Sequence, residues 1–156
     1  TITVDAQVVG LVATALNIWT NPASAVILTN ADNTYAGLTN INNGRLTVNG
    51  QLSATGSPST VTLVGPDTVL DGSGTLRQRS VVVASTANNA SIQGVSIQGA
   101  GTGTGIGVRV DSSRANLGGD ASGVGVDSLT IQGWNIGVQV NGASARAAIV
   151  GLAGDR

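Results

Sequence analysis

The sequence predicts an all-β protein, and among all-β architectures a right-handed parallel β-helix, a β-solenoid of about seven to eight coils. Three observations carry that expectation. The apolar residues are mostly Val, Ile, Leu and Ala, while Lys, Glu, Met, Phe and His are absent and all seven cations are Arg. Such a chain favours strands and lacks the good helix formers. Its apolar runs are short and separated by Gly, Asn, Asp and Ser, which accept positive φ and make tight turns. Finally, the runs repeat. With 10 % charged and 41 % hydrophobic residues, the chain is too apolar and too weakly charged to be disordered.

The expected strands run in order from TITV (1–4) through QVVGLVA (7–13), SAVILT (24–29), LTNI (38–41) and RLTV (45–48). STVTLV (59–64), TVL (68–70), SVVVA (80–84), ASIQ (90–93) and VSIQ (95–98) continue the series. IGVRV (106–110), SLTIQ (128–132), IGVQV (136–140) and AAIV (147–150) close it. A sandwich or a barrel would also use many short strands. Internal repetition favours the solenoid: SIQG stands at 91–94 and again at 96–99, and TIQG at 130–133. The longer phrase VSIQGAGTGTGIGVRV (95–110) is echoed by LTIQGWNIGVQV (129–140). Each is a strand, a glycine corner of variable length and then Ile-Gly-Val-x-Val, as expected where coils stack about 4.8 Å apart and insertions leave at the corners.

In such a stack Val, Ile and Leu fill an inward column, and Thr, Ser, Asn and Gln form ladders on the outer faces. Corners must turn in one or two residues, which explains phrases such as NNGRLTVNGQLSATG (42–56) with Asn-Gly at each end. The reading is one domain, 1–156. Both ends are expected to expose strand edges, and no cap is evident. Together with a first residue that is Thr rather than Met, this suggests a segment of a longer secreted protein.

A net charge of −1 with scattered Arg offers no basic face for nucleic acid. No window is apolar enough for a transmembrane segment. Without Cys there is no disulfide framework and no Cys-ligated metal; no cofactor is expected.

One stretch goes further. VILTNADNTYAGLTNINNGRLTVNGQL (26–52) resembles the β-strand repeat of autotransporter passenger domains. Asn33, Thr34, Tyr35, Gly37, Thr39, Ile41, Asn42, Gly44, Leu46, Val48, Asn49, Gly50 and Leu52 fall on that phrase. STVTLVGPDTVLDGSGTLRQRSVVV (59–83) looks like its usual sequel, matched at Leu70, Gly72, Gly74, Thr75 and Leu76. Family members usually have Gly-Gly where Gly37-Leu38 stands, and the membrane-embedded translocator barrel is absent. The remainder, 84–156, is similar to generic right-handed β-helix repeats. The resemblance implies a secreted rod displayed at the bacterial cell surface, outer membrane-associated, and names no ligand.

Candidate chemistry is thin. β-Helix enzymes cleave acidic polysaccharides with clustered carboxylates or with Arg or Lys as base. Asp67 and Asp71 lie near Arg77 and Arg79 in sequence; Asp111, Arg114, Asp120 and Asp127 form a later set. The catalytic reading takes Asp67, Asp71, Asp120, Asp127 and Arg77 as an acid/base group. The structural reading makes Asp71 and Asp111 turn-capping corner residues. GVGVDSLT (123–130) partly matches a calcium-binding nonapeptide, but one copy cannot supply six to eight oxygens. GTGTGIG (101–107) leads into a strand rather than a helix, which argues against a phosphate loop. Trp134 and Trp19 are candidate sugar-stacking platforms, or else packing residues. The Thr alternations in TITV and STVTL are too isolated for an ice-binding array.

The sequence therefore reads as an extracellular structural and adhesive module without catalysis. Its corner loops 99–105 and 111–127 would meet a host surface, a glycan or another copy. The alternatives are a polysaccharide-binding or -cleaving β-helix, as in pectate lyases or phage tailspikes, and a virion fibre or decoration protein.

Overall fold

The computed structural model describes residues 1–4, 9–10, 15–54, 59–101, 105–112, 114–118, 129–149 and 153–154. Most of QVVGLVA, Asp120, Asp127, most of the nonapeptide-like stretch and parts of the loops 99–105 and 111–127 lie outside the described residues.

The chain passes through three strand positions per turn. The first turn carries β1 (Ile2–Val4), β2 (Val9–Gly10) and β3 (Leu16–Trp19); the second carries β4 (Ala25–Leu28), β5 (Asn33–Tyr35) and β6 (Thr39–Asn43). Then come β7 (Arg45–Val48), β8 (Gln51–Ser53) and β9 (Ser59–Leu63), followed by β10 (Val69–Asp71), β11 (Thr75–Arg77) and β12 (Arg79–Val83). The next turns hold β13 (Ala90–Ile92), β14 (Ser96–Gln98) and β15 (Ile106–Val110), then β16 (Ala115–Leu117), β17 (Thr130–Gln132) and β18 (Ile136–Val140). β19 (Ala147–Ile149) and β20 (Ala153–Gly154) follow.

Every third strand joins the same sheet. Sheet A runs β1-β4-β7-β10-β13-β16-β19, sheet B β2-β5-β8-β11-β14-β17-β20 and sheet C β18-β15-β12-β9-β6-β3. Every described pairing is parallel. The molecule is thus an all-β, three-sided β-solenoid.

Strand alternation makes the core. On sheet A the register stacks Ile2, Val26, Leu46, Leu70, Ile92, Leu117 and Ile149. Sheet B contributes Leu52, Leu76, Ile97 and Ile131. Sheet C adds Ile18, Ile41, Leu63, Val83, Val110 and Val140. From Leu46 to Ile97 these side chains are fully buried, each stabilising the fold by about 1.5–3 kcal/mol through burial. The columns open at the ends: Ile2 is 60 % exposed, Val140 46 % and Ile149 47 %. A terminal rung has a neighbour on one side only. The enclosed stack, β4 through β15, is therefore about four coils, shorter than the seven to eight expected from repeat spacing, although rungs continue beyond it at both ends.

The two echoing phrases are successive coils. β14 lies on β17 with Ile97 opposite Ile131, and β15 lies on β18 with Val108 opposite Val138.

Where the chain turns from sheet A to sheet B, Gly50 and Gly74 stack backbone on backbone. A Cβ on Gly50 would lie 1.9 Å from Asn30 O, and one on Gly74 2.1 Å from Gly50 O. Only glycine lets successive corners approach so closely, which is why Asn-Gly and Ser-Gly recur there.

Polar residues also occupy inward positions. Asn33, in register with Leu52, is buried and donates its amide to Asn30 O at 2.9 Å and Gln51 O at 3.1 Å. Arg79, in register with Ser59, is fully buried. Its Nη1 donates to Gly37 O at 3.0 Å and Ser59 Oγ at 3.3 Å, and Nη2 to Ser53 O at 3.5 Å. One guanidinium thereby ties three successive coils together at the corner from sheet B to sheet C.

Candidate functional site

Three of the sequence-predicted acid/base residues fall on separate parts of the surface. Asp71 ends β10 on the outer face of sheet A. Its carboxylate accepts from Thr47 Oγ1 at 2.6 Å and pairs with Arg45 Nη1 at 3.2 Å, both on the preceding coil. Asp67 is exposed at the corner from sheet C to sheet A, with φ 55, and its backbone N–H donates to Asn88 O at 2.9 Å. Arg77 projects from the outer face of sheet B, in register between Ser53 and Gln98. The described residues thus bring no pair of these groups together.

Asp111 follows the same logic as Asp71. Arg109 contacts its Oδ2 through Nε and Nη2, each at 3.0 Å, and Asn141 of the next coil donates to Oδ1 at 3.2 Å. Both aspartates bridge residues across a sheet face. The outer faces carry further such ladders: Asn40 Nδ2 donates to Asn17 Oδ1 at 3.0 Å, and the Thr60 and Ser80 hydroxyls lie 3.2 Å apart. Cross-strand polar pairs of this kind contribute about 0.2–1 kcal/mol each. Arg114 is exposed. Among the described residues no three acidic side chains gather as a metal site.

The two tryptophans differ. Trp19 ends β3 and is 74 % exposed. Trp134, at the short corner between β17 and β18, is half-buried and packs on the core cluster. Its ring lies over the longer corner of the preceding coil: a Cβ added to Gly99 would sit 3.0 Å from Trp134 Cδ2, and one on Gly107 3.0 Å from Cδ1. The ring covers those glycines as a lid, and its Nε1 is buried without a hydrogen-bond partner among the described residues. Trp134 is thus chiefly a packing residue, while Trp19 stands in solvent.

A different feature emerges along the C-terminal ends of the middle strands of sheet B, β8, β11 and β14. Ser53, Ala54, Arg77, Gln78, Gln98, Gly99 and Ala100 line an open groove of about 380 Å³. Its floor is main chain fixed between coils: Ala54 N donates to Arg77 O at 3.0 Å, Gln78 N to Gln98 O at 2.7 Å and Gly99 N to Gln132 O at 2.9 Å. Above that floor, the register aligns Ser53, Arg77, Gln98 and Gln132 in one outward column. Of these residues, sequence reasoning picked out Arg77 alone. The signal for the column was the Gln shared by the second SIQG phrase (96–99) and TIQG (130–133), which places the same amide at the same register on successive coils.

No family model, curated protein or solved structure matches the chain.

Proposed function

We propose that this chain is an extracellular structural and adhesive module: a stiff β-solenoid segment of a surface-displayed, passenger-like protein, acting through its shape and surface rather than by catalysis. The observation that carries this reading is the disposition of the charges among the described residues, Asp120 and Asp127 lying outside them. Asp71 and Asp111 are engaged in bridges along two different sheet faces, and Asp67 stands apart at a corner. A glycan-cleaving site needs two carboxyl groups about 5–9.5 Å apart across one bond; a rod needs side chains that tie each rung to the next. Repeating coils that contact only their neighbours suit a spacer of adjustable length. The partners consistent with it are a host surface, a glycan or a second copy.

A second reading, polysaccharide binding by the solenoid's flank, is favoured by the polar groove around Arg77. Both readings are tested by coating beads with the purified protein and measuring their retention under flow on cultured cell layers, while assaying the medium for released oligosaccharide. Retention without sugar release is the expected result. Release of fragments from an acidic polysaccharide would overturn the non-catalytic assignment, and retention no better than that of albumin-coated beads would overturn the adhesive one.

A further inference from the structure

We infer that the groove along the C-terminal ends of β8, β11 and β14 is a binding site for an acidic glycan, with Arg77 receiving a sugar carboxylate. The inference deepens the adhesive reading and rests on it for biological context, but the site stands on its own geometry.

Arg77 is exposed and makes no ion pair with any described residue. Arg45 and Arg109 are also exposed, yet each has an aspartate on its own sheet face, at 3.2 Å and 3.0 Å. Among the described residues that line the groove around Arg77, none is acidic. A guanidinium left in that setting presents a planar fork of donors matched to a carboxylate.

The other lining groups specify what surrounds that carboxylate. The amides of Gln78 and Gln98 and the hydroxyl of Ser53 can both donate and accept, as the hydroxyls of a sugar require. Gln51 Nε2 already donates to Ser53 Oγ at 2.7 Å, and Gln98 Nε2 to Ser96 Oγ at 3.3 Å. Those bonds hold the two side chains in place and leave Gln98 Oε1 and the Ser53 proton for a ligand. The remaining lining is Ala54, Gly99 and Ala100, too small to make the apolar walls of a drug-like pocket.

The column geometry points to a polymer. Ser53, Arg77, Gln98 and Gln132 occupy four successive rungs, spanning about 14 Å at about 4.8 Å per rung. An extended chain lying parallel to the solenoid axis meets one polar side chain per rung, with the charge near the middle. Gln78 adds an observation of its own. It holds φ 53, the left-handed region, while the other non-glycine residues there among the described residues are Asp67 and Asn89, types that tolerate it. Gln lacks that tolerance, and the conformation, costing about 1–3 kcal/mol, is held by main-chain bonds from Gln78 N to Gln98 O at 2.7 Å and from Ser59 N to Gln78 O at 3.0 Å, which fix the residue at the groove.

The test is calorimetric titration of the whole protein with trigalacturonate, its fully methyl-esterified form and citrate. Saturable binding of trigalacturonate is expected, at least about tenfold weaker for the ester and for Arg77→Gln, the loss of one charge-assisted contact. Gln98→Ala is expected to weaken binding several-fold, and Arg45→Gln, on sheet A, to leave it unchanged. Thermal unfolding of each variant checks that the exposed substitutions leave the fold intact. No binding of trigalacturonate, equal binding by Arg77→Gln, or equal binding of the ester overturns the inference; citrate binding as tightly as trigalacturonate overturns the glycan assignment. If titration fails while coated beads are still retained, the groove assignment falls and the adhesive reading stands. If titration succeeds and bead retention is absent, the reverse holds.

Discussion

Replacing Gly74 with alanine places a methyl group where backbone already lies. Its Cβ would stand 2.1 Å from Gly50 O and 2.6 Å from Val48 O, both main-chain atoms of the preceding coil. Neither can swing aside, because each accepts a rung hydrogen bond: Gly74 N to Val48 O at 2.8 Å and Thr75 N to Gly50 O at 3.0 Å. Relief requires the coils to part at this corner. Weakening those two bonds costs about 1 kcal/mol each, and the overpacking adds about 1–3 kcal/mol, for a loss of about 3–5 kcal/mol. Gly101→Ala is the control. It has nothing within 4 Å but a φ of +75, so only the left-handed conformation is penalised, about 1 kcal/mol. Urea unfolding followed by far-ultraviolet circular dichroism measures both, with an unchanged slope indicating that stability alone has moved. If Gly74→Ala costs no more than Gly101→Ala, the backbone contact between corners is not what demands glycine, and the reasoning fails.

Arg79→Met is expected to destabilise the protein by about 1–3 kcal/mol, because the Ser53 carbonyl loses its Nη2 donor while Gly37 O keeps only the Ser59 hydroxyl, and a polar group left unsatisfied costs about that much; urea midpoints against wild type measure it. Trp134→Phe is expected to be neutral or stabilising by about 1 kcal/mol, since it removes a buried N–H that has no partner among the described residues while keeping most of the ring that covers Gly99 and Gly107. A loss above about 2 kcal/mol in that variant would show that Nε1 is satisfied after all.

The long strands were legible in the sequence because their alternation is unmistakable. RLTV, IGVRV and IGVQV match β7, β15 and β18 to the residue. The strands at 16–19, 33–35, 51–53, 75–77, 115–117 and 153–154 were not foreseen. β8 and β11 bury a single leucine each, Leu52 and Leu76, and one apolar residue between polar neighbours sets no visible period. In β5 the inward position is filled by Asn33, which composition reads as a turn. Those strands exist because neighbouring rungs template them, on both sides for β5, β8, β11 and β16 and on one side for β3 and β20. The same gap hid sheet B's outer column, which is made by register across coils and not by any local motif. Arg79 illustrates the limit most plainly. In sequence it stands two residues from Arg77 and near Asp71, yet it points inward, because β12 begins on it and the alternation through Val81 and Val83 fixes its side.

The central claim is that successive strands of a sheet run parallel, one coil apart. The chain contains no cysteine, so paired cysteine substitutions test it cleanly. Thr60 pairs with Ser80 and Thr62 with Val82 across β9 and β12. Close parallel partners fall within the range of Cα separations that a disulfide spans, about 4.4–6.8 Å. Under mild oxidation, Thr60→Cys/Ser80→Cys and Thr62→Cys/Val82→Cys should both cross-link, while the crossed combinations Thr60→Cys/Val82→Cys and Thr62→Cys/Ser80→Cys should not. Efficient cross-linking of the crossed pairs in place of the matched ones would mean antiparallel strands, and would contradict the stacked coil on which the whole account depends.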